Sequence, residues 1–347
     1  MKKTLTLSLL LIVFLISISC SPFYEAGDYF FISRQGAVMP VWVRGNRDSG
    51  IFVIANHGGP GETTQYLGKF HAFNELEKQY AVVYWDQRNS GVSQGNPAPE
   101  SISPENFAED LQMVVDAISQ KYNPDYLFLY GVSWGGTLIL QFATDAQRRT
   151  IVDGLIVEGG GHDMPLLLET SIARVTAFAQ QQIAAQTNTE YWQEALSYLS
   201  ANSDTGNWDL KAYRTYAQYL QRANAERSYE TQRREDEFSG PGGEDIFFSP
   251  LSFSMFFSPA TLLPNLNILS LDLSAAMNAI DTPVLLLWGE HDINSPAPEM
   301  PEAAAAVLPN ETYDGVIPDA GHNPVIDNPD EYLSRFTAFI DGITGGL

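Results

Sequence analysis

Apolar runs of four to seven residues recur along most of the chain, and polar or turn-forming residues bound each run. Such runs predict buried strands, because a strand covered on both faces has little need of polar positions. The first two predicted strands are expected to form a meander. The predicted strands cover residues 29–32, 39–43, 52–55, 81–85, 127–130, 154–157, 282–288 and 311–317.

Between the strands, apolar residues recur at the three- and four-residue spacing that is typical of helices. The clearest such segment is 104–122, with Ser103 as its predicted N-cap and Pro104 in its first turn. Further helices are predicted over 138–147 and about 329–343. Strands that alternate with helices need crossover connections, so the pattern predicts an α/β fold with a mostly parallel sheet.

The alternation stops at the glycines 159–161 and resumes at residue 282. The segment between them is polar-rich and mainly helical in pattern, apart from the aromatic stretch FSGPGGEDIFFSPLSFSMFFSP at 238–259. We therefore predict one α/β core built from residues 21–160 and 276–347. A mainly helical cap, 161–275, is expected as an insertion into that core.

Composition narrows the classes of partner. The 44% hydrophobic content is that of a globular protein with a real core. Lys and Arg number 19 against 42 Asp and Glu, which gives a formal charge of −23. This excess repels phosphates, so nucleic acid and a purely electrostatic attraction to anionic lipid are not expected. A substrate with a cationic group is compatible with it.

The first 20 residues have the pattern of a targeting segment rather than of a fold. Lys2 and Lys3 precede an apolar run at 5–18, which is short for a membrane-spanning helix. The run ends at Cys20, the only cysteine, which cannot form an internal disulfide. This end resembles the lipobox of bacterial lipoproteins, although Ser17 stands where a Leu-like residue is usual.

The lipobox resemblance implies a signal peptide over residues 1–20 and lipidation at Cys20. The mature protein is then expected outside the cytoplasm, attached to a bacterial membrane only through its lipid anchor. Ordinary secretion to the periplasm or medium, and an uncleaved anchor, stay open as alternatives.

The strongest chemical signal is Gly131-Val-Ser133-Trp-Gly135, which lies between a predicted strand and a predicted helix. A G-x-S-x-G segment in this context predicts a sharp turn that exposes a nucleophilic serine above a helix N-terminus. A serine hydroxyl needs a base, and the base needs an acid to orient it. His322 and Asp292 each lie just past a predicted strand, so we predict a triad of these two residues with Ser133. Glu290 is the alternative acid.

An acyl-transfer site also needs two N–H donors for the oxyanion. The residue after the nucleophile, Trp134, is predicted to supply one donor. The other is expected from the loop His57-Gly-Gly-Pro-Gly61, which follows the third strand, with Gly59 as the candidate. His57 is interpreted as a structural hydrogen-bonding residue of this loop, and its use as the base is the alternative.

Three segments together resemble the proline iminopeptidase group of α/β-hydrolases. They are His57-Gly-Gly-Pro-Gly61, Asp86-Gln-Arg-Asn-Ser-Gly-Val-Ser93 and Gly131-Val-Ser-Trp-Gly-Gly-Thr137. The resemblance implies an α/β-hydrolase fold with a mostly parallel eight-stranded sheet, and the same triad and oxyanion donors. Asp86 and Arg88 are interpreted as a structural pair that fixes the loop beside the site. Asn89 stands where the group usually has glycine.

The resemblance further implies an aminopeptidase that releases N-terminal proline or small apolar residues from short peptides. Such enzymes hold the substrate amine with acidic residues, for which Glu158 and Glu244 are the candidates. The aromatic cap stretch favours the alternatives, a carboxylesterase, lactonase or carbon–carbon hydrolase acting on a small apolar substrate. A non-enzymatic binding protein is a third hypothesis. The sequence has no HExxH segment, cysteine pair or phosphate-binding loop, so no metal or cofactor is expected.

Overall fold

A nine-stranded sheet forms the centre of the computed structural model, which describes residues 28–227 and 268–346. The strands are β1 (Asp28–Arg34), β2 (Ala37–Gly45), β3 (Ile51–Asn56), β4 (Ala81–Trp85), β5 (Gln94–Gly95), β6 (Tyr126–Val132), β7 (Gly154–Glu158), β8 (Val284–Leu287) and β9 (Glu311–Thr312). The α-helices are α1 (His71–Gln79), α2 (Pro104–Tyr122), α3 (Trp134–Ala143), α4 (Met164–Ala184), α5 (Thr189–Ala201), α6 (Leu210–Glu226), α7 (Ser274–Met277), α8 (Glu299–Ala305), α9 (Pro324–Asp327) and α10 (Pro329–Thr344).

The strand order is β1-β2-β4-β3-β6-β7-β8-β9, and β5 pairs with β2. Pairing is antiparallel where β2 meets β1, β4 and β5, and it is parallel from β4 to β9. The predicted mostly parallel sheet is therefore confirmed. Its ninth strand, β5, has only two residues, too few to give an apolar run in the sequence.

Both faces of the sheet are buried, and β6 shows how the sequence achieves this. Leu127 and Leu129 belong to one buried cluster, which includes the apolar face of α2. Phe128 and Tyr130 point to the opposite face and pack with residues of α10 such as Phe336. Because alternate side chains of a strand point to opposite faces, a strand that is covered on both faces has a continuous apolar sequence.

Helix α2 has the predicted bounds. Ser103 caps it, since its hydroxyl accepts a hydrogen bond from the Asn106 N–H. Helix α3 begins at Trp134, four residues before the predicted start. Its first turn contains two glycines, which contribute no apolar side chains to the helical pattern. The last strand ends at Thr312, since Gly315 has a φ of 89° and turns the chain, and only an isolated bridge joins Ile317 to Gly289.

Helices α4, α5 and α6 lie in the segment that the sequence predicts to be a cap. They have an apolar core of their own, built around side chains such as Val175, Trp192 and Tyr216. Ile293, from the loop after β8, joins this core and so connects the helices to the carboxyl end of that strand. Residues 228–267 of the predicted cap lie outside the described residues. Across residues 28–227 and 268–346, no helix is both long and apolar enough to cross a membrane.

Candidate active site

Ser133 occupies a strained turn between β6 and α3. Its φ of 53° and ψ of −119° are rare for a residue with a side chain. The turn is tight on both sides: a methyl group on Gly131 would lie 2.2 Å from the Gly135 carbonyl oxygen, and one on Gly135 would lie 2.1 Å from the Asn56 carbonyl oxygen. The Ser133 N–H donates to the Glu158 carbonyl oxygen at 2.7 Å, which holds the turn against the end of β7.

His322 and Asp292 are joined by a hydrogen bond of 2.7 Å between Nδ1 and Oδ2. The other carboxylate oxygen of Asp292 accepts from the N–H groups of Asn294 and Ser295, at 2.8 and 3.0 Å. Asp292 is buried, so these bonds fix its carboxylate in one orientation. An ionised carboxylate only accepts, so Nδ1 carries the proton, and Nε2 is then the basic nitrogen of the neutral ring.

The alternative acid, Glu290, does not reach His322 through any hydrogen bond that the structure describes. Its side chain is 47% exposed, and its carboxylate accepts from the Asp319 N–H at 3.3 Å. In the structure it is therefore Asp292, and not Glu290, that forms the hydrogen bond to the His322 imidazole.

The ends of four adjacent strands, β6 to β9, bring these groups together. Gly159 directly follows β7, and a methyl group there would lie 3.1 Å from His322 Cε1 and 3.5 Å from Asp292 Oδ2. The preceding residue, Glu158, accepts the Ser133 N–H. The pair from the loops after β8 and β9 thus lies beside the turn that carries Ser133.

The glycine-rich loop after β3 packs against the same turn. A methyl group on Gly58 would lie 3.4 Å from Ser133 Cβ, and Gly59 has a φ of 109°, which favours glycine. Trp134 is the first residue of α3, so its backbone N–H has no acceptor within the helix. The glycine-rich loop thus packs beside Ser133 through Gly58, and Gly59 and Trp134 stay the predicted oxyanion donors.

His57 is fully buried and is held by its own loop and its neighbour. Its Nε2 accepts from the Gln87 N–H at 3.1 Å, so Nδ1 is protonated and donates to the Gly58 carbonyl oxygen at 2.7 Å. Burial lowers the pKa of His57 to about 4, which keeps the ring neutral. These bonds fit the structural interpretation and leave no ring nitrogen to act as a base.

Gln87 connects the two halves of the predicted oxyanion hole, and the sequence reasoning did not single it out. Its amide nitrogen donates to the His57 carbonyl oxygen at 3.0 Å, and its amide oxygen accepts from Trp134 Nε1 at 2.9 Å. Its place inside the DQR segment was the signal that could have identified it.

The interpretation of Asp86 and Arg88 as a pair is wrong. Arg88 forms two hydrogen bonds of 2.5 and 2.7 Å to the carboxylate of Asp110 on α2, and both side chains are fully buried. Asp86 instead accepts from the N–H groups of Thr64 and Val92, at 2.9 and 2.8 Å. Burial outweighs these bonds and raises the pKa of Asp86 to about 6. Asp86 and Arg88, although only two residues apart, therefore bind different partners: Asp86 binds backbone N–H groups and Arg88 binds α2.

Glu158 lies beneath the site rather than on its surface. It is fully buried, and its Oε2 accepts a 2.7 Å hydrogen bond from the Tyr130 hydroxyl. Burial raises the pKa of Glu158 to about 7, although the hydroxyls of Tyr130 and Tyr332 and the His322 ring oppose this. No surface is exposed on which Glu158 could meet a substrate amine, contrary to the expectation from sequence. Glu244 and Cys20 lie outside the described residues.

Asp327 stabilises the loop that carries His322, and no sequence motif indicated this role. Its Oδ2 accepts from the Gly321 N–H at 2.8 Å, directly before His322, and the side chain is buried. In the part of the chain that the structure describes, no group of three or more His, Cys, Asp or Glu residues could hold a metal ion. An imidazole oriented by a carboxylate, close to a serine in a strained turn, is an arrangement that is suited to acyl transfer.

A family model for the alpha/beta hydrolase fold matches residues 52–329. The chain therefore belongs to the α/β hydrolase family and is a hydrolase. Within that family it is similar to proline iminopeptidases.

Three relatives illustrate the similarity. The proline iminopeptidase of Thermoplasma volcanium is 29% identical over 152 residues, 41% of this chain and 48% of that protein. The proline iminopeptidase of Flavobacterium johnsoniae is 27% identical over 189 residues, 53% of this chain and 59% of that protein. A probable aminopeptidase of Bacillus subtilis, YbaC, is 38% identical over 85 residues, 24% of this chain and 26% of that protein. The chain thus matches between 26% and 59% of these relatives' own length.

Solved structures extend the likeness of fold to nearly the whole chain. The proline iminopeptidase of Mycobacterium smegmatis has a TM-score of 0.62 at 17% identity, covering 91% of this chain and 98% of its own. The esterase RhEst1 of Rhodococcus sp. ECU1013 has a TM-score of 0.57 at 16% identity, covering 92% and 100%. Peptidase and esterase share the architecture, so the fold alone does not choose between them.

Proposed function

We propose that this chain is a serine aminopeptidase that releases N-terminal proline or a small apolar residue from short peptides. The observation that carries the proposal is the 2.7 Å bond from His322 to Asp292 beside the strained turn of Ser133. The names of the relatives, proline iminopeptidases from two organisms and a probable aminopeptidase, support the choice of substrate.

In the proposed reaction the Ser133 hydroxyl oxygen forms a bond to the carbonyl carbon of the N-terminal residue. Its proton passes to His322 Nε2, and Asp292 stabilises the resulting imidazolium. The Gly59 and Trp134 N–H groups stabilise the oxyanion. The proton then moves to the leaving nitrogen as the C–N bond breaks, and the shortened peptide departs. Water, deprotonated by His322, cleaves the acyl-enzyme and releases the free amino acid.

The test is hydrolysis of proline 4-nitroanilide by the purified protein and by two variants. Ser133→Ala should abolish release of 4-nitroaniline. Ser197→Ala, which removes an exposed hydroxyl on α5, should leave it unchanged. If the wild type turns over 4-nitrophenyl esters but no prolyl anilide, the aminopeptidase proposal fails. A carboxylesterase, lactonase or carbon–carbon hydrolase would then be the better description.

We also propose that the protein is lipidated at Cys20 and attached to a bacterial membrane on its extracytoplasmic side. The sequence pattern of residues 1–20 supports this. Metabolic labelling with an alkynyl fatty acid should mark the wild type but not Cys20→Ala. Release of unlabelled wild type into the periplasm or medium would instead indicate ordinary secretion.

A further inference from the structure

We propose that the carboxylate of Glu62 binds the protonated amine of the residue whose carbonyl Ser133 attacks, an inference that rests on the aminopeptidase function proposed above. Glu62 directly follows the glycine-rich loop. It differs from the two acids that the sequence indicates for this role, Glu158 and Glu244.

The side chain of Glu62 folds back over Gly58, towards the nucleophile. A methyl group on Gly58 would lie 2.8 Å from Glu62 Oε2 and 3.4 Å from Ser133 Cβ. The Glu62 oxygen and Ser133 Cβ therefore lie no further apart than the sum of these distances, about 6 Å. A carboxylate oxygen thus lies at the edge of the site, on the side of the oxyanion loop.

This separation suits the amine of an N-terminal residue. In such a residue the nitrogen lies about 2.5 Å from its own carbonyl carbon. A charged N–H···O bond adds about 2.8 Å, and the attacking oxygen approaches the carbon to about 3 Å. A carboxylate that binds the amine must therefore lie several ångströms from the serine, as Glu62 does. An acyl group without an amine would gain nothing from this contact.

Glu62 is also the carboxylate that a substrate can reach. Glu158 and Asp292 also lie beside the Ser133 turn, but both are buried, and their carboxylates accept from Tyr130 and His322. Glu62 is solvent-exposed in the structure. The Glu62 carboxylate makes this edge of the site negative, because neither the oxyanion loop from His57 to Gly61 nor the turn from Gly131 to Gly135 contains Lys or Arg.

Tyr66 is a positioning residue for Glu62. Its hydroxyl interacts with the Glu62 side chain and with the backbone of Gly58. Burial, followed by the charges of Glu62 and Glu158, raises the pKa of Tyr66 well above its usual value. The phenol therefore stays protonated and can donate a hydrogen bond that keeps the Glu62 carboxylate over Gly58.

The experiment compares two substrates that differ by one charged group. Proline 4-nitroanilide carries a ring NH₂⁺, and cyclopentanecarboxylic acid 4-nitroanilide has CH₂ in the same place. The readout is kcat/KM for the prolyl substrate divided by kcat/KM for the cyclopentane substrate. A loss of catalysis that affects both substrates equally leaves this ratio unchanged. The ratio is measured for the wild type, Glu62→Gln, Glu62→Asp and Tyr66→Phe. Glu302→Gln, on α8, is the matched control, since it removes the same charge at another exposed position.

We expect the ratio to fall about 10- to 100-fold in Glu62→Gln, as for the loss of a charge-assisted hydrogen bond. Glu62→Asp, which keeps the charge but withdraws it by one methylene, should give an intermediate ratio. Tyr66→Phe should lower the ratio mainly through a higher KM for the prolyl substrate. The control should stay within about 2-fold of the wild type.

The outcomes separate this inference from the function on which it rests. If the wild type cleaves the prolyl substrate and the ratio is unchanged in both Glu62 variants, Glu62 does not bind the amine, although the aminopeptidase function stands. If the wild type cleaves only the cyclopentane substrate, the aminopeptidase function fails and the inference fails with it. A Glu62→Gln protein that labels with a fluorophosphonate probe at the wild-type rate shows that the site is still folded.

Discussion

Ser133 has a backbone conformation that costs of order 1–3 kcal/mol. Two structural features compensate. Its N–H donates to the Glu158 carbonyl oxygen at 2.7 Å, and the glycines on either side let the chain pack at distances that no side chain could share. The strained turn lies against the glycine-rich loop, where a methyl group on Gly58 would be 3.4 Å from Ser133 Cβ.

Asp292→Asn should lower kcat for the prolyl substrate by about 10³- to 10⁴-fold. The amide can keep Oδ1 as the acceptor for the Asn294 and Ser295 N–H groups, so the loop should stay folded. Its NH₂ group then faces His322 Nδ1 and favours the tautomer protonated on Nε2, which cannot accept the serine proton. Steady-state kinetics and circular dichroism measure the two effects.

Glu290→Gln is the matched control for Asp292→Asn, because it removes the neighbouring acid that the sequence offered as the alternative. It should leave kcat within about 2-fold of the wild type, since surface substitutions seldom perturb a site. A loss of less than 10-fold in Asp292→Asn, or a large loss in Glu290→Gln, would show that the acid is assigned wrongly.

Glu158→Gln should change the pH dependence of stability. The pKa of Glu158 is raised to about 7 in the folded protein from an ordinary value of 4.5. The folded state therefore holds the proton more tightly than the unfolded state, and stability is lost as the pH rises through this window. Glutamine has no proton to lose. The free energy of unfolding of the wild type, relative to the variant, should fall by up to about 3 kcal/mol between pH 4.5 and 7.5.

Urea unfolding at a series of pH values measures this difference. His57, whose lowered pKa of about 4 makes stability rise with pH between about 4 and 6.5, is present in both proteins and cancels. Tyr130→Phe removes a hydrogen bond that lowers the Glu158 pKa, so it should move the window to higher pH. Parallel pH profiles for the wild type and Glu158→Gln would contradict the prediction.

At the scale of elements, the sequence predicts best where a pattern is long. Helix α2 has its predicted bounds because Ser103, Pro104 and a sustained apolar face agree. The ends of β6 and β8 also follow from apolar runs, and with them the positions of Ser133 and Asp292, whereas β9 ends at Thr312, short of its predicted end at 317. The partner of Arg88 could not be predicted, because Asp110 is 22 residues away and packs against it only once α2 is placed. Glu62 was missed for a similar reason, since its direction depends on the fold of the glycine-rich loop.

Asp110→Ala should destabilise the protein by about 3–5 kcal/mol, because it leaves the Arg88 guanidinium buried without its partner. The double variant Arg88→Met, Asp110→Leu should recover most of this loss, since it leaves no buried charge. Urea unfolding measures both free energies. Asp116→Ala, an exposed position on the same helix, should change stability by less than about 0.5 kcal/mol.

Arg88 follows Gln87, which holds the His57 loop and the Trp134 indole, so Asp110→Ala should also lower kcat/KM for the prolyl substrate. A loss of stability below about 1 kcal/mol would contradict the view that this ion pair fastens the loop to α2.

On the scale of the whole molecule, two features act together at the site. The helices α4 to α6 have a core of their own, and this core includes Ile293, the residue that follows Asp292. The formal charge of −23 sets up a negative field around the chain. Such a field favours the approach of a cationic amine and opposes the compact state through self-repulsion. The repulsive part can be tested without knowledge of the substrate.

Raising NaCl from 20 to 500 mM at pH 8 should increase the Tm by several degrees. Screening weakens both the repulsion among 42 acidic side chains and the attraction within surface ion pairs. Exposed pairs such as Lys78–Glu75 contribute little to stability, so the effect of screening them is small. The excess of acidic over basic side chains leaves a net repulsion, and screening of this repulsion should be the larger effect on the Tm.

The same titration at pH 4.5 isolates the cause. The isoelectric point from the sequence is about 4.4, so the net charge and its self-repulsion nearly vanish there. At this pH, salt screens mainly the attraction between opposite charges. The Tm should therefore stay constant or fall as the NaCl concentration rises. An equal increase in Tm at both pH values would point to a general exclusion effect of the salt. A decrease at pH 8 would mean that paired charges, not the acidic excess, govern the stability of this molecule.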